Sequence, residues 1–235
     1  MHTNRKKLYK KKKIFGIITA RKNSKGIKNK NIYKIKNKPL IEFTLIEAKK
    51  SKLLTKLILT TDDERIIKLA NKFALDKIIK RKKSLSTSSS SSIDVIIDVL
   101  KKIKDTKPDY VMLLQPTSPL RSSADIDDAI RSIVNNKKFD SLVSVTKIEN
   151  CHPYKSHKIK KDFLTPLFPS KAHFPRQKLE NIYKSNGSIY ISKTKTILKK
   201  KTFFYKTFPY IMNAKLSLDI DTIKDIKILK KIKNL

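Results

Sequence analysis

Three observations predict that this chain folds as an α/β domain built on a mostly parallel sheet. Short apolar runs at 14–20, 56–61 and 110–114 have the length and composition of buried strands. Helical apolar spacing separates these runs, and each run ends in a polar loop. Strands that alternate with helices in this way are joined by crossover connections and lie parallel. In such open sheets, ligands bind at the carboxyl ends of the strands.

The segments between the strands carry helix signals. Pro39 stands at a plausible first helical position before apolar residues that recur on one side, and acids at 62–64 suit the first turn of another helix. A serine-rich run at 84–92 can supply the N-cap of the next helix, so it need not mark a domain boundary. The predicted helices are 39–50, 64–73, 93–100, 123–133 and 223–232.

The second half of the chain contains two further predicted strands and an irregular stretch between them. Apolar runs at 141–145 and 186–192 predict the strands, and Asn186-Gly187 predicts a turn into the second. Four prolines interrupt the periodicity of residues 147–183. We interpret this stretch as a loop-and-hairpin insertion.

The composition fits a single globular domain with an unusual charge. The 235 residues are 39% hydrophobic, which suffices for one buried core, and the formal net charge is +36. Such a charge favours nucleic acid as a partner, but the lysines are spread over the whole length among many isoleucines and asparagines. We therefore interpret part of the excess as compositional drift and predict no nucleic-acid partner. A basic nucleic-acid-binding protein is the alternative from another class.

The N-terminus and the cysteine content bear on localisation. Residues 1–13 are predicted to be a basic extension, and the apolar run after them is about half as long as a segment that crosses a bilayer. Arg21 ends that run and no small-residue cleavage site follows, so we predict no membrane segment. The single cysteine, Cys151, excludes an internal disulfide framework, and the chain is predicted to be reduced and cytoplasmic.

The loop after the first strand has the composition of an anion site. Basic residues stand at 21, 22, 25, 28 and 30, and Gly26 is one of only three glycines in the chain. Backbone N–H groups, the Ser24 hydroxyl and the Arg21 guanidinium could together hold a phosphate, and Gly26 would allow it to approach closely. The alternative is a solvated turn in a lysine-rich protein.

The segment Asp219-Ile220-Asp221 is the second chemical signal. In an extended segment both carboxylates point to one side, while Leu218 and Ile220 point to the other. Two adjacent carboxylates suit Mg²⁺, which takes one or two of them together with substrate phosphates. Two acids on a solvated strand end are the alternative.

The chain resembles the acylneuraminate cytidylyltransferases, the enzymes that make CMP-activated sialic acids and, in related members, CMP-legionaminic and CMP-pseudaminic acids. Residues 18–21, 24–26 and 30–31 are similar to that family's nucleotide-binding signature. Further blocks follow in the family's order at 38–41, 60–64, 114–121, 186–191 and 219–222. The resemblance spans roughly residues 14–232.

The resemblance implies a fold, a reaction and a site. The fold would be a Rossmann-like nucleotidyltransferase domain over 14–235, with a mixed, mostly parallel sheet and a dimerisation insertion at about 147–185. The enzyme would transfer CMP from CTP to the anomeric hydroxyl of a nine-carbon 2-keto sugar acid and release pyrophosphate. The implied nucleotide-binding residues are Arg21, Ser24, Lys30, Asn31, Arg81, Ser92 and Gln115. The implied sugar-binding residues are Gln115, Lys155, Arg176, Tyr190, Phe203 and Phe204.

The implied catalytic residues combine two cations with two acids. Arg21 and Lys30 would lie at the phosphates of CTP, and Asp219 and Asp221 would hold Mg²⁺. The implied partners are CTP, a 2-keto sugar acid and a second copy of the chain, whose insertion would reach over the neighbouring site.

The alternatives concern the acid and the activity. Legionaminic, pseudaminic or 3-deoxy-octulosonic acid could replace sialic acid, although the Lys30-Asn31 block argues against the octulosonate class. The sequence departs from the family pattern at Lys22, Asn23, Lys82 and around Ser88. These departures leave an inactive relative as a further alternative.

Overall fold

The computed structural model describes residues 12–24, 26–103, 107–149 and 151–232. Within these residues, seven strands form one sheet and two short hairpins form sheets of their own. In chain order the strands are β1 Ile14–Ala20, β2 Lys34–Ile35, β3 Lys38–Pro39, β4 Lys56–Thr61, β5 Lys77–Lys80, β6 Tyr110–Leu114, β7 Ser141–Lys147, β8 His157–Lys160, β9 Phe163–Pro166, β10 Tyr183–Lys193 and β11 Thr207–Ile211. The α-helices are α1 Leu40–Lys50, α2 Glu64–Ala70, α3 Ser92–Lys102, α4 Ser123–Asn135, α5 Thr194–Lys200 and α6 Ile223–Lys231.

The large sheet is mixed and mostly parallel, as predicted. Its strand order is β11-β7-β10-β6-β1-β4-β5. β1 pairs in parallel with both β4 and β6, and β5 continues the parallel set. β10 runs antiparallel to β6 and β7, whereas β11 is parallel to β7. The carboxyl ends of β1, β4 and β6 therefore open at one edge of the sheet.

Helices cover both faces of this sheet because β1 is apolar on both sides. Ile14 and Ile18 pack in one apolar cluster with residues of α1, α2 and α4. Phe15 and Ile17 pack in the other with residues of α3 and α5. Each of these buried side chains contributes about 1.5–3 kcal/mol relative to exposure. This burial fixes the register of β1 and thus the start of the loop after it.

Most sequence predictions of elements are confirmed, with local differences. β1, β4 and β6 have the predicted bounds, and the Ser91 hydroxyl caps α3 by accepting from the Ile93 N–H at 3.1 Å. α2 ends at Ala70 and continues only as a 3₁₀ turn. The predicted insertion lies between β7 and β10 and contains the β8–β9 hairpin.

The prediction that Asn186-Gly187 forms a turn into a strand is wrong. Both residues lie inside β10, where the pairing with β7 shifts register between Ser185 and Tyr190. Gly187 has a φ of 75°, which a residue with a Cβ rarely adopts. The pair therefore forms an irregularity within the strand, beside the sheet edge that carries the site.

Among the described helices, none combines the length and the apolar character that crossing a bilayer would demand.

A buried arginine ties the loop after β6 to its neighbours. Arg121 is 1% exposed. Its Nη1 donates to the carbonyls of Gln115 at 3.2 Å and Ser188 at 2.8 Å, and its Nη2 donates to the Thr44 hydroxyl at 2.8 Å. Burial lowers the pKa of Arg121 to about 10, so the group remains charged at neutral pH. Arg121 thus joins the loop after β6 to β10 and α1.

Replacing Arg121 should destabilise the fold. Arg121→Met would leave the buried carbonyls of Gln115 and Ser188 without this donor, so the free energy of unfolding should fall by about 2–4 kcal/mol. Urea denaturation would measure the change. Arg131→Met is the matched control because Arg131 pairs with Asp128 at the surface, and its effect should stay within about 1 kcal/mol. Equal stability of the two variants would contradict this role of Arg121.

Candidate active site

A cleft of about 360 Å³ opens at the carboxyl ends of β1, β5 and β6. Three parts of the chain form most of its wall: the basic loop (residues 21–32), the serine segment (84–92) and the acidic segment (217–221). The start of the loop after β6, at 115–117, completes the wall. The edge is the one at which open α/β sheets bind ligands.

The basic loop is held in place by hydrogen bonds along its length. The Arg21 guanidinium donates to the Thr87 carbonyl in the serine segment at 2.7 Å, and the Asn31 amide donates to the Arg21 carbonyl at 2.9 Å. The Lys22 N–H donates to the Asp62 carboxylate at 2.8 Å. These bonds fix the loop before any ligand is bound.

The loop after β4 supports the same basic loop at its far end. Asp63 is buried and caps α2 by accepting from the Arg65 N–H. Hydrogen bonds from Arg65 lower the pKa of the Asp63 carboxyl. Arg65 also reaches across to the Asn29 side chain at 2.9 Å. Sequence analysis assigned no role to Arg65, although the acidic block at 62–64 marked the place.

Lys30 joins the basic loop to the acidic segment. Its Nζ donates to the Ile220 carbonyl at 2.6 Å and to Asp221 Oδ1 at 2.9 Å. Its side chain is only 11% exposed, whereas that of Asp221 is 72% exposed. Gly26 packs so tightly against the acidic segment that a Cβ would collide with the Asp221 backbone oxygen. The two segments therefore behave as one wall.

The acidic segment presents both carboxylates to the cleft, as the alternation predicted. Ile220 is buried in an apolar cluster against which Leu218 also packs, and Asp219 and Asp221 line the cleft. The Ile220 N–H donates to the Thr117 carbonyl at 2.8 Å, and this bond holds the acidic segment against the loop after β6. Residues 217–221 do not form a strand, so the alternation of carboxylates and apolar side chains depends on the burial of Ile220 in the core.

Asp219 has an unused buried oxygen. Within the described residues, its Oδ1 is buried and has no hydrogen-bond partner. Burial, helped by the charge of Asp221, raises the pKa of Asp219, while a hydrogen bond with Thr117 and the charge of Lys30 oppose the rise. A Cβ at Gly187 would lie 3.1 Å from Asp219 Oδ2 and 3.2 Å from Gln115 Oε1. Asp219 and Gln115 are therefore close neighbours.

Arg81 and Ser92 complete the wall on the other side. Arg81 is buried, and its Nη2 donates to the Thr60 carbonyl at 2.9 Å. Burial lowers the pKa of Arg81 to about 10, so it too stays charged. Ser92 is the first residue of α3 and faces the same cleft. The structure brings the predicted nucleotide and metal residues to one cleft: Arg21, Ser24, Lys30, Asn31, Arg81, Ser92, Gln115, Asp219 and Asp221.

The remaining predicted sugar-binding residues do not line this cleft. Lys155 and Arg176 lie in a second cleft of about 460 Å³ within the insertion. There Lys155 donates to the Ala172 carbonyl at 2.8 Å and Arg176 to the Glu149 carbonyl at 3.1 Å. A single chain therefore does not bring these two cations together with the nucleotide residues.

Tyr190, Phe203 and Phe204 form an aromatic group beside the site. The Tyr190 ring centroid lies 5.6 Å from that of Phe203 and 6.5 Å from that of Phe204. Phe203 belongs to the core, whereas Phe204 is 66% exposed. Burial, together with the charge of Asp219, raises the pKa of Tyr190. Phe203 is thus a packing residue, and Phe204 is the member that solvent reaches.

An α/β sheet with buried cations and a carboxylate pair at one edge defines the class of nucleotide-binding α/β proteins. Residues 15–235 match the family described as Cytidylyltransferase, and the chain belongs to this family. The resemblance seen in the sequence is thereby confirmed at the level of the family.

Individual relatives agree with this assignment. The chain is 34% identical to post-translational flagellin modification protein B of Campylobacter coli, over 92% of this chain and 93% of that protein. It is 32% identical to the CMP-N,N'-diacetyllegionaminic acid synthase of Legionella pneumophila, over 95% and 97%. It is 33% identical to the N-acylneuraminate cytidylyltransferase of Escherichia coli O18:K1:H7, over 92% of this chain but 51% of that enzyme. The chain thus spans about half the length of the last relative.

A solved structure supports the fold. CMP:2-keto-3-deoxy-manno-octonic acid synthetase, solved in complex with CTP, superposes with a TM-score of 0.69 over 93% of this chain and 97% of that chain. The two sequences are 16% identical, so the likeness concerns the fold.

A methyl group at position 26 should separate the two walls of the cleft. In Gly26→Ala the new Cβ would collide with the Asp221 backbone oxygen, so the acidic segment must move away from Lys30. A crystal structure of the variant should show a longer Lys30–Asp221 distance. Gly16→Ala is the control because the atoms nearest to its Cβ belong to the side chains of Leu54 and Leu57, which do not line the cleft. An unchanged Lys30–Asp221 pair in Gly26→Ala would contradict this packing.

Proposed function

We propose that this chain transfers CMP from CTP to the anomeric hydroxyl of a nine-carbon 2-keto sugar acid and releases pyrophosphate. The observation that carries the proposal is the joining of the basic loop to the carboxylate pair through Lys30 in one cleft. A triphosphate needs both kinds of group, because its charge must be met by cations and bridged by a metal ion. Membership of the cytidylyltransferase family supports CTP as the nucleotide.

In the proposed complex the cations of the cleft wall bind the phosphates. Arg21 directly follows β1. In the complex its guanidinium would donate to a phosphate oxygen in place of the Thr87 carbonyl. Lys30 uses two of its three donors on Ile220 and Asp221, which leaves one for a phosphate. Ser24, Asn31, Arg81 and Ser92 would contact the rest of the nucleotide, with Gln115 between nucleotide and sugar.

The residues present fit Mg²⁺. The buried Asp219 Oδ1, which has no partner among the described residues, is an available hard-oxygen ligand, and Asp221 follows two residues later and lines the same cleft. Among the described residues, no group of three or more His, Cys, Asp or Glu side chains could hold a metal. Two carboxylates plus substrate oxygens is the ligand set that Mg²⁺ commonly takes. When bound there, Mg²⁺ would neutralise phosphate charge and acidify the attacking hydroxyl.

The reaction is a displacement at phosphorus, so positioning and charge neutralisation are the protein's main tasks. The anomeric oxygen of the sugar acid forms a bond to the α-phosphorus of CTP, and the bond from that phosphorus to pyrophosphate breaks in line. The hydroxyl proton is released. Arg21 and Lys30 would stabilise the negative charge on the phosphates throughout.

The sugar acid would be held partly by a second copy of the chain. Lys155 and Arg176 lie outside the nucleotide cleft of their own chain, which suits delivery of these cations to a neighbour. The β8–β9 hairpin of the same insertion carries apolar side chains that are 80%, 73% and 67% exposed, namely Ile159, Phe163 and Leu164. Such a patch favours burial against another protein surface. A homodimer formed through the insertion would use both features, and Tyr190 and Phe204 would complete the sugar pocket.

The departures from the family pattern at Lys22 and Asn23 are compatible with activity. Among the described residues, those with positive φ do not include Lys22 or Asn23, so neither position demands glycine. The Lys22 backbone is held by Asp62, and its side chain is exposed. We therefore favour an active enzyme over an inactive relative, and place it in the cytoplasm.

The test is turnover with a panel of acids. Purified protein is incubated with CTP, Mg²⁺ and, separately, sialic, legionaminic, pseudaminic and 3-deoxy-octulosonic acid, and pyrophosphate release is measured. We expect release with at least one nine-carbon acid, because relatives are named for legionaminic and pseudaminic acids as well as acylneuraminate. Asp219→Asn should abolish release, and Asp128→Asn, a surface control, should not.

Two results would contradict the proposal. No release with any acid would refute the cytidylyltransferase activity on this substrate class. Release with the octulosonic acid alone would preserve the transfer of CMP and refute the nine-carbon substrate.

A further inference from the structure

The Lys30–Asp221 pair occupies a carboxylate that the proposed metal site also needs. The Lys30 ammonium lies 2.9 Å from Asp221 Oδ1 and 2.6 Å from the Ile220 carbonyl, within the same segment that carries Asp219. The ammonium is nearly buried, so water screens its charge poorly. Asp219 Oδ1, by contrast, has no partner among the described residues. One of the two carboxylates is thus already paired with a cation, and the other has one oxygen without a partner among the described residues.

The charges around the carboxylates oppose a second cation. Lys30 sits in direct contact with Asp221, and Arg21 and Arg81 line the same cleft. Asp219 and Asp221, together with Asp225, whose carboxylate accepts from the Asp221 N–H at 3.0 Å, give three negative charges against these three cations. The balance leaves no net negative charge to attract a free dication. Repulsion between an ammonium and a dication a few ångströms apart amounts to several kcal/mol before screening, even at an effective dielectric constant of about 20. The binding of a triphosphate would reverse this balance because it brings several negative charges.

We propose that Lys30 acts as an internal competitor of the divalent cation at Asp221. In the nucleotide-free protein, Lys30 weakens metal binding to Asp219 and Asp221. The phosphates of a bound nucleotide attract the Lys30 ammonium away from Asp221, and this relieves the competition. Metal and nucleotide therefore bind with positive coupling, each raising the affinity for the other. This inference rests on the proposed function for the identity of the metal site. The inference adds that Lys30, a residue proposed to bind phosphate, also makes metal affinity depend on whether nucleotide is bound.

Lys28 offers a matched control. It belongs to the same basic loop, two residues before Lys30, and its side chain is exposed. Lys28→Met and Lys30→Met change the net charge of the protein equally. A difference between them therefore reports the contact with Asp221 and not the overall charge.

The experiment measures Mn²⁺ binding to the nucleotide-free protein from the electron paramagnetic resonance signal of free Mn²⁺. We expect Lys30→Met to bind Mn²⁺ on the order of tenfold more tightly than wild type. Lys28→Met should stay within about twofold of wild type, since exposed charges are screened. Adding Asp219→Asn to Lys30→Met should remove the gain, because the gained ion would sit at that carboxylate. The increase in CTP affinity that Mn²⁺ produces should be larger in wild type than in Lys30→Met.

A second variant guards against a folding defect. In Lys30→Gln the side-chain amide can still donate toward the Ile220 carbonyl without a charge, and it should show the same tighter Mn²⁺ binding. Circular dichroism and thermal melting confirm that each variant is folded.

The outcomes separate this inference from the proposed function. Equal or weaker Mn²⁺ binding in both Lys30→Met and Lys30→Gln would overturn the competition and indicate that Lys30 orients Asp221 toward the metal. Such a result leaves pyrophosphate release by the wild type unaffected. Absence of Mn²⁺ binding to every nucleotide-free variant, together with an affinity for CTP that Asp219→Asn leaves unchanged in the presence of Mn²⁺, would overturn the metal site of the proposed function and this inference together.

Discussion

An ammonium group in the wall of the cleft joins two segments that lie far apart in the chain. Lys30 and Asp221 are separated by 191 residues, and their contact brings the basic loop against the acidic segment. Gly26 makes this approach sterically feasible, and Ile220 anchors the acidic segment in the core. The proposed site depends on this contact because neither segment alone has both the cations and the carboxylates that a metal-bound triphosphate would require.

Two buried arginines keep positive charge in place at this edge of the sheet before a ligand binds: Arg81 lines the cleft, and Arg121 holds the carbonyl of Gln115, which also lines it. Arg81 and Arg121 are buried cations held mainly by backbone carbonyls, and burial lowers the pKa of each without removing its charge at neutral pH. Groups fixed in this way do not have to reorganise when negative charge enters the cleft. Their burial costs stability, and the hydrogen bonds to carbonyls of the sheet edge offset part of that cost.

Much of the fold could be predicted from the sequence, because the central strands are the most apolar segments. β1, β4 and β6 were predicted to the residue, whereas β5 and β11 were missed. These two are the edge strands of the sheet. β5 is short and ends in lysine on both sides, and β11 contains Pro209, which is tolerated where a strand needs only one partner.

The members of the site could be predicted, but the contacts among them could not. The ordered motifs pointed to Arg21, Lys30, Asp219 and Asp221, and all four line one cleft. That Lys30 pairs with Asp221 depends on how the basic loop packs, which no local pattern encodes. Lys155 and Arg176 were assigned to the same pocket by resemblance, yet the single chain holds them elsewhere.

The most direct measurement of the central claim is a crystal structure of the protein with CTP and Mn²⁺, with the metal located by its anomalous scattering. We expect an anomalous peak about 2.1 Å from Asp219 Oδ1 and from an oxygen of Asp221, with phosphate oxygens within hydrogen-bond reach of Arg21 and Lys30. A structure in which CTP is bound and Mn²⁺ contacts only the phosphates, with both carboxylates free of metal, would contradict the account.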